Sequence, residues 1–157
     1  MSKQSKYDTI LDALQKLLET KELSGISVSE IAQTAGIGKG SIYYYFPSKD
    51  AILEALVERN YEAPLTTAKH LAEQTEISPF TRMAMIFQAC RNSSSAFLKT
   101  EPGTETAAPE RSFLHQKYMS HLITALKPVL TAIIQQGNED GLIHCEKTDA
   151  LAEIVLI

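Results

Sequence analysis

The amino-acid sequence predicts an all-α protein. Apolar residues recur at helical spacing along nearly the whole chain of 157 residues, and no convincing run alternates apolar and polar residues as a strand would. Serine caps, glycines and prolines separate these helical segments. Because 44% of the residues are hydrophobic, the chain can bury a real core. We therefore expect an assembly of amphipathic helices.

The first predicted helix runs from about Lys6 to Leu18. Its apolar residues fall on one face, which would brace the short helices that follow. They are Ile10, Leu11, Leu14, Leu17 and Leu18. Ser24 and Gly25 then break the helical pattern.

The second predicted helix begins after Ser27, a favourable N-cap whose hydroxyl can accept a hydrogen bond from an early backbone N–H. Glu30 follows three residues later, as in a capping box. The apolar face comprises Val28, Ile31, Ala32 and Ala35. Gly36 should end this helix, because glycine adopts a positive φ without a steric penalty.

The third predicted helix spans residues 39–45 and starts at Gly38. Ile42 and Phe46 lie one turn apart and should face inward. The outer face is then left with Lys39, Gly40, Ser41, Tyr43 and Tyr45. For Tyr44, which lies nearer the inward side, burial and an outward role both remain open.

Two short helices joined by a tight glycine turn are built like a helix-turn-helix reader of DNA. The N terminus of the second helix attracts phosphate, and Gly40 would let it approach a groove wall closely. Tyrosines can contact phosphates, base edges or thymine methyl groups. Pro47 stops the helix, Ser48 caps a fourth one, and Lys49 in its first turn can reach a phosphate from the side.

The net charge of −4 is unusual for a DNA-binding protein, but the charge is unevenly distributed. Residues 1–50 carry six basic and six acidic side chains, so the acidic excess lies beyond residue 50. Residues 36–49 contain two lysines and no acid. Because local charge matters more than the overall balance for phosphate contact, we expect modest nonspecific affinity.

The remaining helices are predicted from caps and prolines. The fourth runs from Lys49 to about Tyr61, and Pro64 marks a kink or a restart. In the case of a restart, a further helix would cover about 65–72. We then expect helices at about 79–98 and 110–136, separated by a loop at 99–109, and Pro128 could kink the second of them. A turn at 137–141 and a last helix from Thr148 or Asp149 follow.

Residues 6–58 closely resemble the DNA-binding domain of the TetR family of transcriptional regulators. The matching segments are Ser27-Val28 with Ile31-Ala32, Ala35-Gly36-Ile37, Lys39 to Phe46, and Ser48-Lys49 with Ala51-Ile52. The sequence departs from the usual pattern at Gly38, where serine is common, and at Tyr45, where histidine is common. Both departures bear on operator choice and leave the fold assignment intact.

The resemblance implies a three-helix helix-turn-helix domain at residues 1–48, joined to a C-terminal helical ligand-binding and dimerisation bundle at residues 49–157. The third helix would enter the major groove, and a homodimer would bind a palindromic operator in double-stranded DNA. By this resemblance, the residues nearest the bases are Lys39, Gly40, Ser41 and Tyr43. Those that hold phosphates are Ser27, Tyr44, Tyr45 and Lys49. The C-terminal half matches the family only weakly.

A small-molecule effector would bind within the C-terminal bundle, where two helices carry residues that could line a cavity. The candidates are Met83, Phe87, Cys90, Phe97, Phe113, Tyr118 and Met119. The alternative is that they form an ordinary core. His115 and His121 could orient a ligand, but their spacing of six places them on different faces, so we expect no metal and no cofactor. Cys90 and Cys145 are expected to be free thiols.

The sequence thus predicts a ligand-responsive, homodimeric repressor in the cytoplasm, with no membrane span. The alternatives are an activator, a constitutive DNA binder, and a helical protein-interaction module without DNA binding. No catalytic constellation is visible, so we do not expect an enzyme. The chain stops at Ile157 in an uncapped apolar run, and we expect the helical domain to be incomplete at its C terminus.

Overall fold

A computed structural model describes residues 4–98 and 109–157, and these residues contain helices and no strand. The elements in chain order are α1 (Lys6–Leu18), a 3-10 turn (Leu23–Gly25), α2 (Val28–Ala35), α3 (Lys39–Tyr45), α4 (Lys49–Glu73), α5 (Pro79–Leu98), α6 (Pro109–Glu139) and α7 (Thr148–Leu156). The predicted all-α class is confirmed. None of the described helices has both the length and the apolarity that a bilayer span requires.

Backbone contacts divide the chain into two units. The first extends to Arg59 and takes in the start of α6 as far as Ser112, while the second begins at Asn60 and includes the rest of α6. Helix α4 therefore starts in one unit and ends in the other. The domain boundary predicted from the sequence, between residues 48 and 49, falls where α4 begins.

The first unit is held together by apolar side chains from four helices. They are almost completely removed from solvent and comprise Ile10, Leu14, Ile31, Ile42, Ile52 and Leu56. Tyr7 of α1 packs against Phe46, with 4.8 Å between the ring centroids, so the residue that follows α3 is fixed to the first helix. Arg59 of α4 forms an ion pair with Asp12 of α1 at 2.7 Å.

Helix α4 continues through Pro64, so the predicted end near Tyr61 and restart at residue 65 are wrong. Proline has no N–H to donate to the carbonyl four residues earlier, which here belongs to Asn60. The hydroxyl of Ser93 on α5 donates to that carbonyl oxygen at 2.9 Å, and the hydroxyl of Tyr118 on α6 donates to Ser93 Oγ at 2.6 Å. A neighbouring helix thus supplies the donor that Pro64 lacks, and α4 continues through this position.

Helix α6 ends at Glu139, three residues later than predicted, and contains Pro128, as the predicted helix did. The predicted turn at 137–141 is therefore shorter, with Gly141 at a φ of 72°. Gly137 belongs to the helix, and its missing side chain admits Ile143, whose Cδ1 would lie 2.6 Å from an added Cβ. Of the predicted loop, residues 99–108 lie outside the described residues, and Pro109 already begins α6.

Arg82 of α5 is fully buried, a feature that the sequence did not indicate. Its guanidinium donates to the Ala72 carbonyl at 3.1 Å and to Oε1 of Gln136 at 2.6 Å. The Ala72 carbonyl lies in the last turn of α4, where the helix dipole favours a positive charge. Arg82 therefore joins the end of α4 to α6 within the second unit.

Candidate nucleic-acid interface and effector cavity

Local capping places α2 and α3 around a tight turn. Ser27 Oγ accepts from the backbone N–H of Glu30 at 3.1 Å, which confirms the predicted N-cap of α2. The Lys21 ammonium lowers the pKa of the Glu30 carboxyl, and the backbone N–H of Ser27 adds to this lowering. Gly36 ends α2 in the left-handed region at a φ of 68°, as predicted. These contacts fix the direction in which α3 starts.

The exposed side of α3 begins with two small or flexible residues. Lys39 and Gly40 are exposed, Ser41 is half-buried, and Ile42 is completely buried. An added Cβ at Gly40 would meet nothing within 4 Å, so no packing in this chain requires glycine there. Helix α3 therefore presents a shallow, cationic start and holds itself to the core through Ile42.

The three tyrosines of α3 differ in exposure. Tyr44 is 84% exposed, Tyr43 49% and Tyr45 38%. Tyr45 is partly covered because Tyr7 stands edge-on to it, with 6.4 Å between the ring centroids. Tyr44, whose burial the sequence left open, is thus the most accessible of the three. All three hydroxyl-bearing rings are available on the outside of the helix-turn-helix.

Lys49 lies at the start of α4 and already has partners in this chain. Its ammonium donates to the backbone carbonyls of Leu23 at 2.8 Å and Ile26 at 2.9 Å. It thereby anchors the segment before α2, a role that sequence spacing could not reveal. An ammonium has three N–H donors, so a third donor remains for a phosphate.

The second unit contains a cavity of about 350 Å³ between α5 and α6. Its lining residues are Phe87, Cys90, Arg91, Ser94, Ser95, His115 and Met119. Ser94 is buried, and its Oγ lies 3.2 Å from Nδ1 of His115. Burial raises the pKa of the Cys90 thiol to about 11, so this thiol stays protonated near neutral pH. The volume lies near the lower end of the range of roughly 300–1,000 Å³ that small-molecule sites occupy.

The structure places the predicted effector residues in four different settings. Phe87, Cys90 and Met119 line the cavity. Phe97 and Tyr118 are buried and stacked on each other, with 5.4 Å between the ring centroids. Met83 is half-buried away from the cavity lining, whereas Phe113 is 52% exposed with the Lys117 ammonium over its ring.

Three cavity residues, Arg91, Ser94 and Ser95, were not among the predicted effector residues. Their signal was the spacing of three to four residues that links Phe87, Arg91 and Ser94 on one side of α5. They were not predicted because the candidates were chosen among apolar, aromatic and histidine side chains. Among the described residues, no group of three potential metal-ligating side chains comes together. Cys90 is buried and Cys145 half-buried, and both thiols are free.

Residues 10–56 match the family model described as bacterial regulatory proteins of the tetR family. The chain is 30% identical over 131 residues to the HTH-type transcriptional regulator EthR of Mycolicibacterium smegmatis, a match that covers 82% of this chain and 60% of that protein. It is 32% identical over 95 residues to the HTH-type transcriptional repressor NemR of Escherichia coli K12, covering 59% of this chain and 48% of the repressor. The chain therefore spans less than two thirds of either relative.

The fold is also that of solved regulators. The fatty acid degradation regulator FadR from Bacillus halodurans superposes with a TM-score of 0.69 at 22% identity, over 98% of this chain and 78% of that one. The reduced form of Escherichia coli NemR superposes with a TM-score of 0.63 at 21% identity, over 97% of this chain and 82% of that one. At these identities the likeness establishes the fold, with an N-terminal helix-turn-helix and a helical C-terminal part.

Proposed function

Because the chain belongs, through its helix-turn-helix, to the tetR family of bacterial regulatory proteins, we propose that it regulates transcription as a homodimeric repressor. Each protomer would insert α3 into the major groove of one half of a palindromic operator. A small-molecule effector bound in the second unit would favour a conformation with lower operator affinity. Such a regulator acts in the cytoplasm, where bacterial DNA lies.

The observation that carries this proposal is the exposed side of α3. Lys39, Gly40, Tyr43 and Tyr44 lie exposed along a short helix, and residues 36–49 contain no carboxylate. In a chain of net charge −4, this stretch has no carboxylate that would repel a phosphate backbone. Its side chains offer a cation, aromatic faces and hydroxyl donors, which are the groups that read phosphates and base edges.

Ser27, Ser41, Tyr45 and Lys49 complete the proposed interface. Ser27 is exposed at the start of α2, and Ser41 is half-buried beside the outer residues of α3. Tyr45 retains an accessible edge beside Tyr7. Lys49 would hold a phosphate through the donor that its two carbonyl contacts leave unused. Of these four, Ser27, Tyr45 and Lys49 would contact the DNA backbone, whereas Ser41 would lie nearer the bases.

The proposal can be tested by selecting fragments from a genomic library with the purified protein at two salt concentrations. We expect a palindromic sequence to be enriched and to persist at the higher salt. Tyr43→Ala should weaken binding and relax base preference. Lys39→Gln should weaken binding and reduce the slope of log affinity against log salt by about 1 per protomer, or about 2 for the dimer. The matched control is Lys16→Gln on α1, which removes the same charge outside the proposed interface.

Sequence-blind binding that disappears at the higher salt would contradict specific operator reading by this chain. Equal losses for Lys39→Gln and Lys16→Gln would show that general charge, and not α3, determines the affinity. Either outcome would favour the alternative of a helical protein-interaction module.

A further inference from the structure

The stretches of α5 and α6 that line the cavity contain no acidic residue. Helix α5 contains no Asp or Glu from Pro79 to Leu98, and α6 contains none from residue 112 to 138. The chain as a whole has 19 acidic residues and a net charge of −4. These two helical stretches therefore carry only basic charges, in a protein whose net charge is negative.

Arg91 is the permanent cation at this site. It lines the cavity and keeps its side chain exposed. Within the part of the chain that the structure describes, it forms no ion pair with a carboxylate. A guanidinium presents a planar fork of donors that matches a carboxylate with two parallel hydrogen bonds. An anion at the cavity mouth would therefore find a partner that no carboxylate of the described side chains on α5 and α6 occupies.

The rest of the lining suits an apolar body. Phe87, Cys90 and Met119 provide an aromatic ring, a protonated thiol and a flexible thioether. The polar groups of Ser94 and His115 lie 3.2 Å apart and engage each other. Among the described side chains, the cavity thus combines an apolar wall with one cation that has no carboxylate partner. This arrangement selects amphiphilic anions over neutral or cationic molecules.

We propose that this cavity binds a small apolar molecule carrying one carboxylate, with the carboxylate on Arg91 and the apolar body against Phe87, Cys90 and Met119. The inference rests on the proposed function only in taking this ligand to be the effector. Binding itself requires no DNA, and the test is designed around that independence.

The test uses three probes that share a body and differ in charge: phenylbutyrate, phenylbutyramide and phenylbutylamine. Their affinities for the full chain are measured by isothermal titration calorimetry without DNA. We expect the carboxylate to bind at least tenfold more tightly than the amide, and the amine to bind least. Arg91→Gln should reduce carboxylate affinity about tenfold and leave the amide unchanged, since a hydrogen bond to a charged partner is worth roughly that factor.

Two further variants locate the ligand. Met119→Trp should fill the cavity and abolish binding of both the carboxylate and the amide. Lys69→Gln removes an exposed charge from α4 outside the lining and should change neither affinity. Because Arg91 is exposed, its replacement should not alter the thermal unfolding midpoint, which is checked by circular dichroism.

The proposal is overturned if none of the probes binds, if the carboxylate and the amide bind equally, or if their ratio survives Arg91→Gln. Carboxylate binding that persists in Met119→Trp would also overturn it, since the ligand would then sit elsewhere. The operator affinity of the chain is measured separately with and without phenylbutyrate. Arg91-dependent binding that leaves operator affinity unchanged would uphold the site and refute only the effector part of the proposed function.

Discussion

Ser93 gives α4 the hydrogen bond that Pro64 cannot. Its hydroxyl donates to the Asn60 carbonyl at 2.9 Å and accepts from the Tyr118 hydroxyl at 2.6 Å. Three helices thereby share one chain of hydrogen bonds. Burial raises the pKa of Tyr118, so this residue remains a neutral donor across the physiological range.

Ser93→Ala should therefore lower the free energy of unfolding by about 1–3 kcal/mol, because it removes the partner of a buried hydroxyl as well as the donor to α4. A double-mutant cycle with Pro64→Ala separates these two effects. Alanine restores the N–H that can reach the Asn60 carbonyl, so Ser93→Ala should cost less in that background. Urea unfolding measures all four proteins, and strictly additive effects would contradict the account.

Gly40→Ala should affect folding and DNA binding in opposite directions. No packing in this chain needs glycine at position 40, and alanine raises helix stability by up to about 1 kcal/mol. If α3 approaches a groove wall closely, the added methyl group should nevertheless reduce operator affinity. Urea unfolding and operator titration of the same preparation check the two effects. Unchanged or improved operator affinity would argue against close approach at this position.

Lys49→Met should destabilise the first unit before any DNA is present. It removes both hydrogen bonds to the carbonyls of Leu23 and Ile26, which we expect to lower the free energy of unfolding by about 1–3 kcal/mol. Lys39→Met is the matched control, since Lys39 is exposed and should tolerate the change within about 0.5 kcal/mol. Equal stability of the two variants would show that Lys49 has no structural role.

The buried thiol of Cys90 predicts a loss of stability at alkaline pH. Burial raises its pKa from 9.0 to about 11. As the pH rises past about 9, the unfolded chain releases this proton while the folded chain keeps it until about pH 11, so ionisation favours unfolding in that window. Cys90→Val should reduce the fall in unfolding free energy between pH 8 and pH 10, whereas Cys145→Ser should not. The same slope in both variants would contradict a buried, protonated Cys90.

Local signals predicted the helix-turn-helix well. The hydroxyls of Ser27 and Ser48 accept from backbone N–H groups three residues ahead, and Gly36 takes the left-handed conformation that ends α2. Each of these signals acts within one or two turns of the chain. Helix boundaries set by such contacts could therefore be predicted from neighbouring residues alone.

The features that were missed depend on residues far apart in the sequence. Pro64 looked like a break because its compensating donor is Ser93. Lys49 looked like a free cation because its carbonyl partners lie more than twenty residues earlier. Arg82 gave no local sign of burial, since its partners lie on α4 and α6. The cavity was only partly predicted, because one side of α5 mixes apolar residues with Arg91 and two serines.

The tyrosines of α3 also give the molecule a built-in optical signal. The chain has six tyrosines and no tryptophan, and half of those tyrosines follow one another at positions 43–45. The rings of Tyr43, Tyr44 and Tyr45 differ in exposure, and none of these three is buried. The intrinsic fluorescence of the unlabelled protein therefore comes from tyrosine without any contribution from tryptophan. Half of the tyrosines that can emit lie on α3. Quenching of this emission by a nucleic acid would report on that helix without a dye.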